Sequence, residues 1–473
     1  MPKRYHIHTT PVPPRLPRIG KYGVVDWRED CANCHNCVKK ACVYDRYREE
    51  SAYIRNLDNV ETLFFNCMGC LTCVQNCTKG LLRLAINPEY EQLGNHYWTP
   101  EIIQTTWHQA ETAAVPVTGA GYHGKFSGSG FDSMWTDMSE IVRPTRDGIH
   151  GREYISTSVD IGTNPPFLIF EENDRADWSP SVVDIALPLM LDMNPTAFSL
   201  PRLEHIIVEA AVCTDLIAIV DTSKWPISGN DGLDRDPEEY LPHIAFFLNP
   251  DAKQPPDNIL KKTRLVEIPD DGNAPERVKH LKEIFPHLVV SVRVELNAAG
   301  VRRAAALAES GIEVIHVMAD LNGDEIGVAK PRFIGDMIRE IHQSLIAGGR
   351  RNEVTLIAGG GIALPEHMAK AVICGADLVS THLPLMIALE CRVCSTCRSD
   401  LLCPARFEEI DFDYGVGRMR NLIAAWHLQL IEVMGAMGMR DARRLRGDVG
   451  RAMFFEELEE EIFGQIFGSR RNA

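Results

Sequence analysis

A chain of 473 residues with a formal net charge of −16 has room for two to three domains and a large core, and is too acidic to pair with a phosphate backbone, so nucleic acid is not an expected partner. It has no apolar run of about 18 residues, and its proline-rich start lacks an apolar signal segment or a twin-arginine pair, so neither a membrane span nor export is expected. Most of its 14 cysteines are tightly grouped, which in an unsecreted chain means metal thiolates in a reducing compartment rather than disulfides, and a cytoplasmic location.

Residues 1–17 read as an extended arm, because Pro11, Pro13, Pro14 and Pro17 deny it helix and sheet hydrogen bonds. Such an arm often clasps a neighbouring domain or subunit. Residues 18–95 carry two cysteine quartets, Cys31, Cys34, Cys37 and Cys42, then Cys67, Cys70, Cys73 and Cys77, each opening with two C-x2-C steps. Three thiolates at that spacing wrap one iron-sulfur cube, and the fourth, a turn further on, ligates the other. Cys31, Cys34, Cys37 and Cys77 are therefore assigned to one 4Fe-4S cluster, and Cys67, Cys70, Cys73 and Cys42 to a second, in a ferredoxin-like α+β module. Structural zinc is the alternative, although zinc would leave the third cysteine of each run surplus. Val43 and Thr78 stand where proline is common in such modules, a change that leaves ligation intact.

Residues 96–180 show little periodicity and are expected to be an irregular connecting segment. From 181 to 473 short apolar β-branched runs alternate with amphipathic helices, the pattern of a parallel sheet with covering helices. Strands are expected at 182–193, 216–221, 264–268, 288–294, 313–319, 354–358 and 377–380, and helices at 298–310, 331–347 and 365–374, each closed by a glycine. Seven strands with such crossovers favour a TIM-like (β/α)8 barrel, with the eighth strand unplaced.

Alternation within the strands locates the chemistry. In residues 290–295 the valines share one face, which sends Ser291, Arg293 and Glu295 into the barrel; an arginine there needs an anionic ligand or Glu295 to compensate it. The next strand turns His316, Met318 and Asp320 to one face. Internal ion pairs without a ligand are the alternative reading of both strands. Gly359, Gly360 and Gly361 follow a late strand, where barrels commonly hold phosphate. Beyond the last strand, Cys391, Cys394, Cys397 and Cys403 form a third run able to hold its own cluster, with zinc as the competitor. Cys213 and Cys374 are expected to be buried and inert.

Residues 181–467 resemble the FMN-binding synthase domain of the glutamate synthase large subunit, and the fused ferredoxin module makes the chain similar to the archaeal-type form. The resemblance is carried by Ala358 through Ile362, Gly375-Ala-Asp377, Ile387 through Cys391 with the cysteine run to Pro404, and the helix from Arg420-Asn421 through Met434 to Gly438. It implies an iron-sulfur flavoprotein oxidoreductase in which electrons pass from the 4Fe-4S clusters and a third cluster, 4Fe-4S or 3Fe-4S, to FMN and on to a small acceptor, such as 2-oxoglutarate undergoing reductive amination. Arg293 takes the place of a basic residue beside the flavin, usually lysine in the family. Gly359, Gly360, Gly361 and His382 fall at the phosphate, and His316 and Asp320 on the substrate side. His382-Leu383 replaces the family's glycine-threonine phosphate contact, and no amidotransferase segment or N-terminal cysteine nucleophile is expected. The altered glycine motifs, the proline-rich arm and the acidic amphipathic tail at 454–463 favour an alternative, an electron-wiring subunit of a larger redox complex. Other redox subunits or a soluble electron donor are the implied partners, with an oligomer or complex expected.

Overall fold

The computed structural model describes residues 5–26, 34, 36, 38–44, 67–115, 117–118, 121–122, 130–136, 155–163, 182–193, 201–222, 237–249, 254–394, 403–448, 450 and 452–454. Cys31, Cys37, Cys397 and the tail beyond residue 454 lie outside them. The chain folds as two compact units, one of Met1–Pro13, Gln104–Cys391 and Arg406–Ala473, the other of Pro14–Ile103 and Arg392–Ala405.

Eight parallel strands close the barrel of the first unit: β1 Leu189–Asp192, β2 Ile217–Asp221, β3 Ile244–Phe247, β4 Leu265–Pro269, β5 Val289–Glu295, β6 Val314–Met318, β7 Thr355–Gly359 and β8 Leu378–Thr381. The strand missing from the sequence reading is β3. Its four residues are all buried, but so short an apolar run is difficult to separate from the helical turns Pro237–Tyr240 and Leu241–His243 before it. The run expected at 182–193 is two strands. Val183–Ile185 pairs antiparallel with Val159–Ile161, and only the part after Pro188, which has no N–H to donate, enters the barrel.

Helices α1 Pro201–Thr214, α2 Ala274–Ile284, α3 Gly300–Glu309, α4 Ile334–Ala347 and α5 Pro365–Cys374 cover the strands, followed by α6 Leu383–Ala388 and the 25-residue α7 Phe412–Ala436. Gly415 of α7 allows close approach to α1, since a Cβ there would lie 2.6 Å from Ile206 Cδ1. The proline-rich arm belongs to this unit as far as Pro13. Asn421 Nδ2 donates to the carbonyl of Thr10 (2.8 Å), and Arg418 Nη1 donates to that of Val12 (3.0 Å). The same side chains cap carbonyls of Trp107, Ala110 and Glu111 at the end of the helix Pro100–Thr112. That helix corrects the expectation of an irregular 96–180 stretch; its start was legible in Thr99-Pro100-Glu101.

In the second unit, Tyr22–Asp26 pairs antiparallel with Leu82–Ile86, and between them lie the short helices Val38–Ala41, just before Cys42, and Thr72–Asn76, which holds Cys73. Arg392–Ala405 belongs to this unit. The Gly94 N–H donates to the Arg392 carbonyl (3.0 Å) and Arg15 Nη2 to that of Ala405 (2.6 Å), while Cys391, which opens the third cysteine run, belongs to the first unit. Among the described residues, no helix is long and apolar enough to cross a membrane.

Candidate functional site

The interior of the barrel near its C-terminal end is polar and charged. Arg293 of β5 sits level with His316 of β6 and Pro269 of β4. Its Nε donates to Glu267 Oε1 (2.5 Å) and its Nη2 to Asp192 Oδ2 (2.9 Å), while Nη1 has no protein acceptor among the described residues. Both carboxylate side chains are 1% exposed and the arginine side chain is 11% exposed. The Phe247 ring lies 5.2 Å from the guanidinium carbon, a cation–π contact that packs one face of the fork.

Behind Glu267, Ser291 Oγ donates to Oε2 (3.1 Å), and His316 Nδ1 meets the same oxygen at 2.7 Å. Nδ1 donates to that carboxylate, and Nε2 lies 2.8 Å from Ser380 Oγ, so both ring nitrogens are engaged. Burial alone would raise the Glu267 pKa, but the charge of Arg293, followed by His316 and the hydrogen bonds from both, overrides it and depresses the carboxyl to about 2. Burial works against the Arg293 charge as well; Asp192 and Glu267 outweigh that penalty and hold the guanidinium more firmly protonated than usual.

The sequence reading put Arg293 and His316 here and left out Asp192, Glu267, Ser380 and Phe247. A lone acid inside the apolar run Leu265-Val-Glu-Ile-Pro269 is the same alternation signal that exposed Arg293, and it would have found Glu267. Glu295, offered as the compensating acid, is exposed on the last residue of β5. His316 is fully buried with both nitrogens occupied. Asp320 has left the barrel face, and its Oδ1 accepts the N–H groups of Asn322 and Asp324 at 2.8 Å each, closing the loop after β6.

The glycine turn has a packing explanation. A Cβ on Gly359 would strike Met318 Sδ and Ser380 Oγ, one on Gly360 would lie 2.5 Å from the Asp320 carbonyl, and one on Gly361 2.6 Å from Gly323 Cα. Gly360 and Gly361 also hold φ of 96° and 67°. These constraints require glycine with or without a phosphate. His382 directs Nδ1 to the Asp192 carbonyl (2.9 Å).

Cys73 is raised first by burial and then by the neighbouring thiols of Cys67, Cys70 and Cys42. Cys34 is lowered mainly by the Asn36 backbone and by Thr78, whose Oγ1 is 3.7 Å away, and it feels Cys77. Backbone N–H groups of Gly69 and Leu81 reach the sulfurs of Cys67 (3.3 Å) and Cys77 (3.2 Å), the kind of contact that tunes a thiolate cluster. This donor set fits iron-sulfur ligation. No three His, Cys, Asp or Glu groups among the described residues converge on a position for a single metal ion. Around the third run the backbone is strained, with Glu390, Val393 and Arg406 at φ of 72°, 50° and 45°. Cys374 is buried and its thiol is pushed up to about 12 by that burial. Cys213 is only half-buried and donates to Glu209 Oε1 (3.3 Å), a correction to its expected burial.

Residues 254–440 match the conserved region in glutamate synthase. An archaeal-type glutamate synthase (NADPH) of Dehalococcoides mccartyi is 26% identical over 487 residues, covering 90% of this chain and 93% of that protein. The archaeal glutamate synthase (NADPH) of Archaeoglobus fulgidus is 22% identical over 505 residues, covering 93% and 96%. Among solved structures, the recombinant flavin-binding domain of baker's yeast flavocytochrome b2 is a looser likeness, with 13% identity and a TM-score of 0.43 over 79% of this chain and 86% of that one.

Proposed function

We propose, for a chain that is a relative of the archaeal-type glutamate synthases, that it is an iron-sulfur flavoprotein oxidoreductase, with FMN at the C-terminal mouth of the barrel and a small acceptor beside it. The observation that carries this reading is Arg293: a guanidinium fixed by two buried acids, with Nη1 left for a ligand at the end of the barrel where such enzymes place their chemistry. Bound there, FMN would exchange single electrons from the clusters for a two-electron transfer to the acceptor.

Arg293 would hold the electron-rich edge of the ring through Nη1. His316 would act through Glu267, not on the substrate, because both of its nitrogens are spent. Asp320 would shape the loop over the substrate side. Gly359, Gly360, Gly361 and His382 are the proposed phosphate end, supported by their position after β7 and β8; the turn's glycines are accounted for by packing alone. Cys31, Cys34, Cys37 and Cys77 would hold one 4Fe-4S cluster, Cys42, Cys67, Cys70 and Cys73 the second, and Cys391, Cys394, Cys397 and Cys403 a third, 4Fe-4S or 3Fe-4S. Other redox subunits or a soluble donor would supply electrons, in the cytoplasm and within an oligomer or complex.

The acceptor proposed is 2-oxoglutarate with ammonia. Reduced ferredoxin, ammonia and 2-oxoglutarate supplied anaerobically to the purified chain should yield glutamate, and flavin-loaded protein that forms none would refute that acceptor. A wiring subunit with little or no catalysis is the second reading, favoured by the carboxylates that neutralise Arg293 and by the filled glycine turn.

A further inference from the structure

We propose that Thr78 tunes the cluster assigned to Cys31, Cys34, Cys37 and Cys77, its hydroxyl donating to the Cys34 sulfur and holding the midpoint potential above the value the turn at Cys77 would give without it. The inference rests on the iron-sulfur reading above and deepens it.

Residues 77–80 form a turn closed by the Gly80 N–H, which donates to the Cys77 carbonyl (3.0 Å), with Gly80 at φ of 61°. Thr78 is the second residue of that turn, the position that favours proline. Cys77 before it is extended, at φ of −72° and ψ of 106°, the region left open to a residue that precedes proline. The backbone would therefore accept the proline that commonly follows the fourth cysteine of such a run. What threonine adds is a hydroxyl. Its Oγ1 lies 3.7 Å from Cys34 Sγ, a contact across 44 residues of sequence that joins the two cysteine runs, and Thr78 makes no other side-chain hydrogen bond among the described residues. Either atom of the pair could donate while the cysteine is a thiol. A sulfur bound to iron is a thiolate with no proton to give, so with the cluster in place the hydroxyl is the donor. A donor on a cluster sulfur favours the more negative, reduced state and raises the potential. The Leu81 N–H, 3.2 Å from the Cys77 sulfur, acts in the same sense through the backbone and stays whatever side chain stands at 78. Thr78 and Cys34 are both exposed, which keeps the effect modest.

Thr78→Val and Thr78→Pro both remove the hydroxyl, the first with nearly the same shape and the second within the geometry of the turn. Anaerobic redox titration of the holoprotein, followed by electron paramagnetic resonance, should show in both a fall of about threefold to tenfold in the reduced-to-oxidised ratio of one cluster at fixed potential, about 30–60 mV for a one-electron couple. Iron content should be full and the other clusters unmoved. Thr78→Ser keeps the donor and should titrate as the wild type does. Potentials that stay level or rise in cluster-bearing Thr78→Val and Thr78→Pro, or a Thr78→Ser potential that falls with theirs, overturn the tuning role and leave the iron-sulfur reading intact. Wild-type protein without iron and acid-labile sulfide overturns both.

Discussion

Replacing Arg293 by methionine tests the buried ion network directly. The substitution roughly keeps the volume of the side chain and leaves Asp192 and Glu267, each 1% exposed, with no cation between them. Breaking a buried pair by removing one partner costs about 3–5 kcal/mol, because the surviving charge stays desolvated. The carboxyl's own shift gives a similar size. Glu267 is depressed from 4.5 to about 2, and at about 1.4 kcal/mol per unit this is worth about 3 kcal/mol at neutral pH. The sign follows from the direction of the shift: a carboxyl with a depressed folded pKa stabilises fully above its unfolded value, and that stability is lost as pH falls from about 4.5 through about 2. In Arg293→Met the shift reverses, since the uncompensated acids now favour protonation, so the deficit should shrink between pH 7 and pH 5. Urea unfolding, which leaves charges unscreened, followed at both pH values, reads the effect. The triple variant Asp192→Asn, Glu267→Gln, Arg293→Met should recover most of the loss. A single variant that costs under about 1 kcal/mol at pH 7, or whose deficit grows toward pH 5, would refute the reasoning.

Gly359→Ala should cost about 1–3 kcal/mol in the same unfolding assay, because its methyl group meets Met318 and Ser380 inside the barrel; neutrality would mean the interior is looser than described. Asn421→Ala removes the donor to three carbonyls, including that of Thr10, and should cost about 1–3 kcal/mol and speed proteolytic clipping of the N-terminal arm, as timed by mass spectrometry. Cys42→Ala should damage the cluster of Cys67, Cys70 and Cys73 and spare that of Cys34 and Cys77, lowering iron from about 12 to about 8 atoms per chain. Loss of the Cys34 and Cys77 cluster instead, distinguished by electron paramagnetic resonance, would reverse the interleaving.

The barrel was legible in sequence wherever a strand was long or a helix had its stop signal. Helix α5 was expected at 365–374 and is found as Pro365–Cys374, because proline at its start and Gly375 after it mark both ends. Strand β3 escaped because four apolar residues carry too little periodicity. Arg293 stood out as a charge within a valine strand, whereas its partners were overlooked: Asp192 lies near the end of the strand expected at 182–193, and Glu267 needed the same alternation argument applied one strand earlier. Pairings between β1, β4 and β5 are set by barrel closure, which no local pattern announces. The segment Arg392–Ala405 shows the same limit, since the cysteine spacing was plain but the grouping of this segment with Pro14–Ile103 depends on tertiary structure.

The central claim, a cluster-bearing chain with FMN at its barrel mouth, is tested most directly by the composition of anaerobically purified protein. The account predicts one FMN per chain together with about 12 iron atoms and matching acid-labile sulfide, and a visible spectrum that bleaches on reduction. Colourless protein without sulfide or flavin would contradict it.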